Sequence, residues 1–275
     1  MGSERIGQMS GRACMETDKI YNEDCLVGMR GIADKSVDAI ISDLPYGVTR
    51  NKWDNVIPLE PMWNEFNRVI KDRGAVVLFS QMPFTAILAG SNLSMLKYEI
   101  VWRKSNSTGF LNSRHAPLRC HENILVFSKS CACNVADKEK AMVFNPQMEH
   151  GHMPYAAKRR VPRNSNWDVG SMKEVVTESG GERYPTDIVC FPNDKDTVHP
   201  TQKPVALLEW LVRTYTDEGG LVMDCCMGSG TTAVACVNTG RRFIGFETDV
   251  SMWNVACGRV EKAVREKKER LFNSE

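Results

Sequence analysis

The sequence lacks several features that would assign it to a common class. None of its apolar runs is long enough to span a bilayer, and no charged-then-apolar leader opens the chain, so we expect a cytoplasmic protein without membrane contact. No C-x-x-C pair occurs among its ten cysteines, which argues against a common zinc module. The net charge of +1 excludes a bulk polycation. Any nucleic-acid surface must therefore arise from local clustering of charge.

One group of cysteines and histidines could be considered as a metal site. Cys131 and Cys133 precede His150 and His152 in the chain, but this spacing matches no common zinc pattern. The other cysteines are scattered through strand-like and helix-like segments. We therefore expect no metal, and mostly reduced thiols.

Short apolar runs alternate with helix-like stretches over most of the chain, as in a parallel sheet covered by helices. Strands are predicted for KIYNEDC, VDAIISD, AVVLFS, LVMDCC and RRFIGFE, and a helix for residues 58–71. Further helices are predicted for VALLEWLVRTYT, TTAVACVNTG and the charged C-terminal stretch. YEIVWR and ENILVFSK are predicted as antiparallel strands, because a polar loop rather than a helical pattern joins them. The predicted fold class is α/β, with a doubly wound, mostly parallel sheet.

The regular pattern breaks in the second half of the chain. Prolines, histidines and the stretch AAKRRVPRNSN show no sustained period there. We predict an inserted module over residues 131–195, which separates two parts of one domain, 19–130 and 196–275. Residues 1–18 are polar and aperiodic, and are predicted to be a flexible tail.

A glycine-containing loop is the first chemical signal. LVMDCCMGSGTTAVAC predicts a strand, a turn with Gly228 and Gly230, and then a helix. Glycine lets a ligand touch the backbone, and free amides at a helix start attract polar or anionic groups. A second strand ends in Glu247, at about the spacing where an acid binds ribose hydroxyls. Nicotinamide dehydrogenases and S-adenosylmethionine enzymes share this arrangement, and a plain tight turn is the alternative.

The stretch AIISDLPYG is the second signal, because an apolar strand ends there in an acid, a proline and an aromatic ring. In a doubly wound sheet, the ligand crevice forms beside the carboxyl ends of the two central strands. If LVMDCC and VDAIISD are those strands, residues 43–46 would face the bound cofactor. An ordinary type I turn, in which Asp43 caps and Pro45 starts the bend, is the alternative.

Such a turn suits chemistry on an exocyclic amine of adenine or cytosine. This nitrogen is a poor nucleophile, because its lone pair is delocalised into the ring. Asp43 could accept one N–H and the Leu44 carbonyl the other, which would aim the lone pair at a methyl donor. Pro45 would restrict the local dihedral angles, and Tyr46 would offer a face for a flipped base.

DLPYG together with MDCCMGSGTT resembles the amino-methyltransferases of DNA. That family carries an acid-or-Asn/Ser-Pro-Pro-Tyr motif and an S-adenosylmethionine loop of F-x-G-x-G type. HENILVFSK, HPTQKP and FIGFE are further similarities, so the resemblance covers nearly everything after the tail. The catalytic motif precedes the cofactor loop, as in the beta class, a permuted form of the Rossmann-like methyltransferase fold. Two departures, Leu44 for the first proline and CCM before Gly228, are expected to be tolerated because the roles rest on backbone groups.

The resemblance implies a role for each matching residue. The catalytic turn would comprise Asp43, Leu44, Pro45 and Tyr46. The S-adenosylmethionine site would comprise Asp24, Cys25, Thr201, Lys203, Asp224, Gly228, Ser229, Gly230, Thr231, Thr232 and Glu247. HPTQKP would support the methionine end, Glu247 the ribose hydroxyls, and the segment with Asp24 and Cys25 the adenine ring. For Asp24, a plain strand-end turn remains the alternative.

The inserted module occupies the position of the target-recognition region in this family. The predicted DNA-binding residues there are Lys158, Arg159, Arg160 and Arg163, because phosphates attract cations and arginine reads base edges well. A solvated basic loop is the alternative.

The resemblance as a whole implies a methyltransferase that acts on a base flipped out of double-stranded DNA. The aspartate-led motif favours the N6 amine of adenine, with the N4 amine of cytosine as the alternative. No Pro-Cys dipeptide occurs, which argues against methylation of the cytosine ring. A nicotinamide-dependent oxidoreductase, an RNA or protein methyltransferase and a non-catalytic DNA-binding module remain as other classes. Beta-class relatives are often dimers, so a homodimer is left open.

Overall fold

A computed structural model of the chain describes residues 15–47, 55–132, 138–159, 175–195, 197–199 and 201–273. Contacts divide these residues into two compact units. The first comprises the described residues up to Asn145 and from Asp187 onward, and the second comprises Pro146–Thr186. Within the described residues, no helix is long and apolar enough to cross a membrane.

The first unit is built on an eight-stranded sheet, with the strand order β1-β10-β9-β2-β3-β5-β4-β8. Five neighbouring strands, β1, β10, β9, β2 and β3, run parallel, and β5 is antiparallel to both β3 and β4. The strands are β1 Lys19–Tyr21, β2 Val37–Asp43, β3 Ile70–Ser80, β4 Leu96–Thr108, β5 Arg119–Ser128, β8 Ile188–Cys190, β9 Leu221–Asp224 and β10 Arg242–Phe246. The mostly parallel α/β sheet confirms the predicted fold class. The antiparallel pairing that was predicted for YEIVWR and ENILVFSK is also present.

Helices cover both faces of this sheet, which gives three layers. They are α1 Cys25–Gly28, α2 Leu59–Val69, α3 Phe84–Ser91, α4 Val205–Tyr215, α5 Thr231–Thr239 and α6 Val250–Phe272. Adjacent residues of β2 point into different cores: Ile41 packs in the cluster with α4 and α5, and Ile40 in the cluster with α2 and α3. Burial on both faces explains why the central strands have continuous apolar sequences rather than alternating ones.

The strand order reverses between β9 and β2. These strands pair directly, with Ala39 opposite Val222 and Ile40 opposite Met223. From β9 the chain continues outward to β10, and from β2 it continues outward in the other direction to β3. The carboxyl ends of β2 and β9 therefore flank a crevice of the kind in which doubly wound sheets bind ligands.

Several predicted boundaries differ from the structure. Helix α2 ends at Val69 rather than near residue 71, because Ile70 pairs with Val37 and already belongs to β3. The predicted strand KIYNEDC is a strand only over Lys19–Tyr21, since Asp24 caps α1 directly afterwards. Of the predicted tail, residues 1–14 lie outside the described residues, whereas the Asp18 N–H donates to the Phe243 carbonyl (2.6 Å) beside β10.

The second unit contains an antiparallel hairpin of β6 Tyr155–Arg159 and β7 Val175–Ser179, in which Lys158 lies opposite Val176. The Arg183 guanidinium lies 4.4 Å from the centre of the Tyr155 ring. This unit lies inside the predicted insertion of residues 131–195. Residues at both ends of that range belong to the first unit, in which β8 pairs with β4.

Candidate active site

A cavity of about 620 Å³ opens at the carboxyl ends of β2 and β9. Both sequence signals reach it: the turn after β2 contributes residues 43–46, and the loop after β9 contributes Cys226, Met227, Gly228 and Ser229. The two segments are about 180 positions apart in the chain and meet because their strands pair.

The acid-led turn places its four residues differently. Asp43 ends β2, and its Oδ1 accepts a hydrogen bond from the Tyr46 hydroxyl (2.6 Å). Tyr46 is half-buried, and its ring stacks on Phe84 at 5.5 Å between centroids. Leu44 is 3% exposed and its side chain packs in the hydrophobic cluster beneath the turn, so its backbone is the part available to a ligand. Pro45 lines the cavity beside Tyr46.

Four charged side chains of alternating sign lie side by side along the cavity wall: Asp43, Lys203, Glu122 and Lys104. Lys203 Nζ lies 2.5 Å from Asp43 Oδ2 and 3.3 Å from Glu122 Oε2, the latter as an ion pair without hydrogen-bond geometry. Glu122 also pairs with Lys104. Burial lowers the pKa of Lys203, but the attraction of Asp43 and Glu122 outweighs it and leaves that pKa raised. Burial likewise raises the pKa of Glu122, but the two lysines more than reverse this effect, so its pKa is lowered and its carboxylate form is favoured.

The glycine loop is held to the end of β10. Glu247 accepts the Gly228 N–H on Oε2 (2.7 Å) and the Asp249 N–H on Oε1 (2.8 Å). Helix α5 begins directly after the loop without a side-chain cap, and Thr231 and Thr232 in its first turn line the cavity. Uncapped amides at a helix start attract polar or anionic groups. Glu247 thus shapes the loop, while its carboxylate still faces the cavity.

Gly228 and Gly230 serve different purposes. Gly228 has φ +52°, and a Cβ added there would come no nearer than 4.0 Å to a neighbouring atom, so it would project into open space. Gly230 has φ +83°, and a Cβ there would lie 2.9 Å from the Cα of Ala256 in α6. Gly230, predicted as a cofactor-binding residue, is not among the described residues that line the cavity, and it permits the close approach of α6; its cofactor role stays a prediction.

Two predicted cofactor-binding acids have structural partners. Asp224 is 3% exposed and accepts hydrogen bonds from the hydroxyls of Ser42 (2.7 Å) and Thr232 (2.6 Å). Burial raises its pKa to about 6, although these hydrogen bonds oppose the shift. Asp24 caps α1 by accepting the N–H groups of Leu26 and Val27. The turn role left open for Asp24 is therefore present, and both acids also line the cavity.

The remaining predicted cofactor-binding residues, Cys25, Thr201 and Ser229, also line the cavity. The Thr201 hydroxyl lies 2.9 Å from His199 Nδ1. A hydrogen bond with Cys225 and burial raise the pKa of the Cys25 thiol far above its usual value, so this thiol is neutral and unreactive. Most described cysteines are free thiols, as expected, but Cys131 is disulfide-bonded, which was not predicted.

Comparison with known proteins identifies the chain. Residues 37–256 match the DNA methylase family of N6 and N4 amino-methyltransferases. The chain belongs to this family. It is 26% identical to the type II methyltransferase M1.MboII of Moraxella bovis over 88% of this chain and 96% of that protein. It is also 26% identical to the DNA adenine methyltransferase YhdJ of Escherichia coli K12, over 94% of this chain and 88% of that protein.

Solved structures of methyltransferases have the same fold. The crystal structure of the M1.HpyAVI–SAM complex superposes with a TM-score of 0.58 at 26% identity and covers 88% of this chain and 98% of that one. The predicted resemblance to the DNA amino-methyltransferases is therefore confirmed, and the nicotinamide-dependent oxidoreductase is ruled out as an interpretation of the glycine loop.

The predicted DNA-binding residues of this methyltransferase fall in the second unit. Lys158 is exposed on β6, and Arg159 ends that strand. Arg160 and Arg163 lie outside the described residues. Their role in DNA binding stays a prediction.

Sequence reasoning did not single out Glu122 or Lys104. The sequence carried only a partial signal: Glu122 stands just before the apolar run ILVF of β5, and Lys104 follows the apolar part of β4. A charge at such a position is buried by the neighbouring strands, and a buried charge requires a partner. The identity of that partner, Lys203, depends on the tertiary fold.

Proposed function

We propose that this DNA methyltransferase transfers a methyl group from S-adenosylmethionine to the exocyclic N6 amine of an adenine flipped out of double-stranded DNA. The observation that carries the proposal is that Asp43 and Gly228 line one cavity at the point where the strand order reverses. The aspartate-led motif supports adenine, as does the similarity to a protein named as a DNA adenine methyltransferase. Cytosine N4 is the alternative within the same family.

The residues beside the glycine loop fit this cofactor. The open space over Gly228 lets a ligand lie against the backbone, and the uncapped start of α5 offers amides to a carboxylate or hydroxyl. Glu247 retains acceptor capacity for ribose hydroxyls, since its oxygens accept the Gly228 and Asp249 N–H groups and each carboxylate oxygen has two acceptor sites. When bound, the cofactor supplies an electrophilic methyl group on its sulfonium.

The turn after β2 would hold and orient the amine. Asp43 would accept one N–H and the Leu44 carbonyl the other, which localises the nitrogen lone pair. Tyr46, whose ring stacks on Phe84, would offer its aromatic ring to the base. Transfer would form the carbon–nitrogen bond and break the methyl–sulfur bond, which leaves a neutral thioether. The amine would lose one proton, for which the Asp43 carboxylate is the proposed acceptor.

Lys203 would act as a positioning residue. Its ammonium restrains one oxygen of Asp43, while Glu122 keeps that ammonium in place. The hydroxyl of Tyr46 restrains the other oxygen. The carboxylate is therefore held at both oxygens before the base arrives, and such preorganisation reduces the reorganisation needed in the transition state.

The test is incubation with unmethylated plasmid DNA and isotope-labelled S-adenosylmethionine, followed by nucleoside mass spectrometry and sequencing that maps the modified positions. We expect labelled N6-methyladenine at a defined sequence. N4-methylcytosine would assign the alternative, and label only in RNA or protein would overturn the DNA substrate.

Asp43→Ala is the matched variant for this test. It should abolish the product and leave cofactor affinity, measured by calorimetry, within about threefold. Loss of cofactor binding would contradict the role assigned to Asp43. The absence of methyl transfer by the wild-type protein, with DNA binding retained, would indicate a non-catalytic module. A homodimer remains a prediction, which light scattering after size exclusion would test.

A further inference from the structure

The connection between β4 and β5, residues 109–118, lies at the same edge of the sheet as the cavity. Strand β4 is antiparallel to β5, which is antiparallel to β3, so β4 ends on the side where β2 and β3 end. Lys104 and Thr108, from the last part of β4, line the cavity. The connection therefore begins at the cavity rim.

Two large apolar side chains at the tip of this connection are exposed. Leu111 is 100% exposed and Phe110 is 67% exposed. The backbone around them is ordered by a 3₁₀ turn, in which the Asn112 N–H donates to the Gly109 carbonyl (2.9 Å) and the Ser113 N–H to the Phe110 carbonyl (3.1 Å). An ordered pair of exposed apolar side chains indicates a binding surface rather than a part of the core.

The surroundings of this tip are basic. From Arg103 to His121 the chain has four lysines and arginines and no aspartate or glutamate. Arg103, Arg114 and Arg119 are exposed, and the Arg119 guanidinium donates to Gln81 (2.8 Å), which lines the cavity. Cations without intervening carboxylates favour a polyanionic partner. Charge and position together select DNA over a second protein as the occupant.

We infer that Phe110 and Leu111 insert into the base stack of DNA and occupy the space that the target base leaves when it enters the cavity. This inference rests on the proposed function. Extrusion of a base costs a few kcal/mol of lost stacking and pairing, and apolar wedges such as Phe and Leu are used elsewhere to open base steps. A wedge at the cavity rim would stabilise the flipped state and keep the base from returning.

The test compares wild-type protein with the double variant Phe110→Ala/Leu111→Ala on two duplexes. Both duplexes contain the methylation site found by sequencing, and in the second an abasic site replaces the partner of the target base. We expect kcat/KM of the double variant to fall at least tenfold on the paired duplex and to stay within about threefold of wild type on the abasic one. Leu93→Ala is the matched control, because Leu93 is 68% exposed but precedes β4 at the opposite edge of the sheet.

A second readout is 2-aminopurine fluorescence at the target position, which should rise on binding of wild-type protein and less on binding of the double variant. Equal losses on both duplexes would indicate an ordinary DNA contact and overturn the wedge, as would unchanged activity on both. A shift of the double variant from dimer to monomer in light scattering would also overturn it, in favour of a contact between copies. If wild-type protein methylates neither duplex, the proposed function fails, whatever the variant does.

Discussion

Lys203 Nζ lies 2.5 Å from Asp43 Oδ2 and so connects the HPTQKP element with the acid-led turn, 160 positions away. The same ammonium lies 3.3 Å from Glu122, which pairs in turn with Lys104. Each of these four charged side chains thus has a neighbour of opposite sign. The resemblance to the family assigned Lys203 to the cofactor, whereas the structure also ties it to the proposed catalytic acid.

The coupling between Lys203 and Glu122 can be measured by comparing the unfolding free energies of two single variants with that of the double variant. Lys203→Met leaves part of the buried Glu122 charge uncompensated, which costs about 3 kcal/mol of the free energy of unfolding. Glu122→Gln leaves Lys203 with Asp43 alone and should also destabilise. In the double variant both charges are gone, so its destabilisation in urea should be smaller than the sum of the single effects by about 1 kcal/mol or more. Strict additivity would show that the pair is not coupled.

The ring and the hydroxyl of Tyr46 make separable contributions. Tyr46→Phe keeps the stacking surface and removes the 2.6 Å hydrogen bond to Asp43, so we expect methylation to slow by about threefold to tenfold. Tyr46→Ala removes the surface for the base as well, which should cost a further 1 to 3 kcal/mol, or about fivefold to 150-fold. Single-turnover methylation rates distinguish the two. A loss as large for Phe as for Ala would mean that the hydroxyl, and not the ring, carries the function.

The sequence predicted the meeting of the two loops because the relevant information is local. A run such as AIISD indicates a central buried strand, and a glycine loop followed by a helix indicates the other half of a ligand crevice. Since central parallel strands end at one edge, Asp43 and Gly228 could be brought together without coordinates. The observed pairing of β2 with β9 satisfies this expectation.

The side-chain partners could not be predicted in the same way. The sequence does not distinguish Gly230, which faces Ala256, from Gly228, which faces the cavity, because both belong to the same short GSG turn. The ion pairs of Glu122 likewise depend on which residues three separate segments bring to one wall. Tertiary packing decides such contacts, and propensity and periodicity carry no information about it.

The different surroundings of the two glycines lead to a paired prediction. Gly228→Ala places a methyl group in the space assigned to the cofactor, so cofactor affinity should fall at least tenfold, while left-handed backbone strain costs only about 1 kcal/mol of stability. Gly230→Ala places a methyl group 2.9 Å from Ala256 and should lower the melting temperature by several degrees more than Gly228→Ala. Calorimetric titration with S-adenosylmethionine and thermal unfolding separate these effects. Equal melting temperatures together with equal affinities would contradict the assignment.

The buried carboxyl of Asp224 predicts a particular pH dependence of stability. Burial raises its pKa to about 6, above its ordinary value of 3.8, so the folded protein binds this proton more tightly than the unfolded chain does. The contribution of Asp224 to stability is therefore fully present below about pH 4 and is lost as pH rises through about 6.

Asp224→Asn isolates this titration from that of every other group. The amide preserves the shape of the side chain: its oxygen can accept the Ser42 hydroxyl and the Cys226 N–H (3.0 Å), and its nitrogen can donate to Thr232. The free energy of unfolding of the wild-type protein, relative to this variant, should rise by about 2 kcal/mol between pH 6 and pH 4, because each pKa unit corresponds to about 1.4 kcal/mol and part of the titration falls outside this range. Urea titrations of both proteins across this range measure the difference. A difference that is constant or falls toward pH 4 would mean that Asp224 is not desolvated as the structure places it, and that its hydrogen bonds dominate over burial.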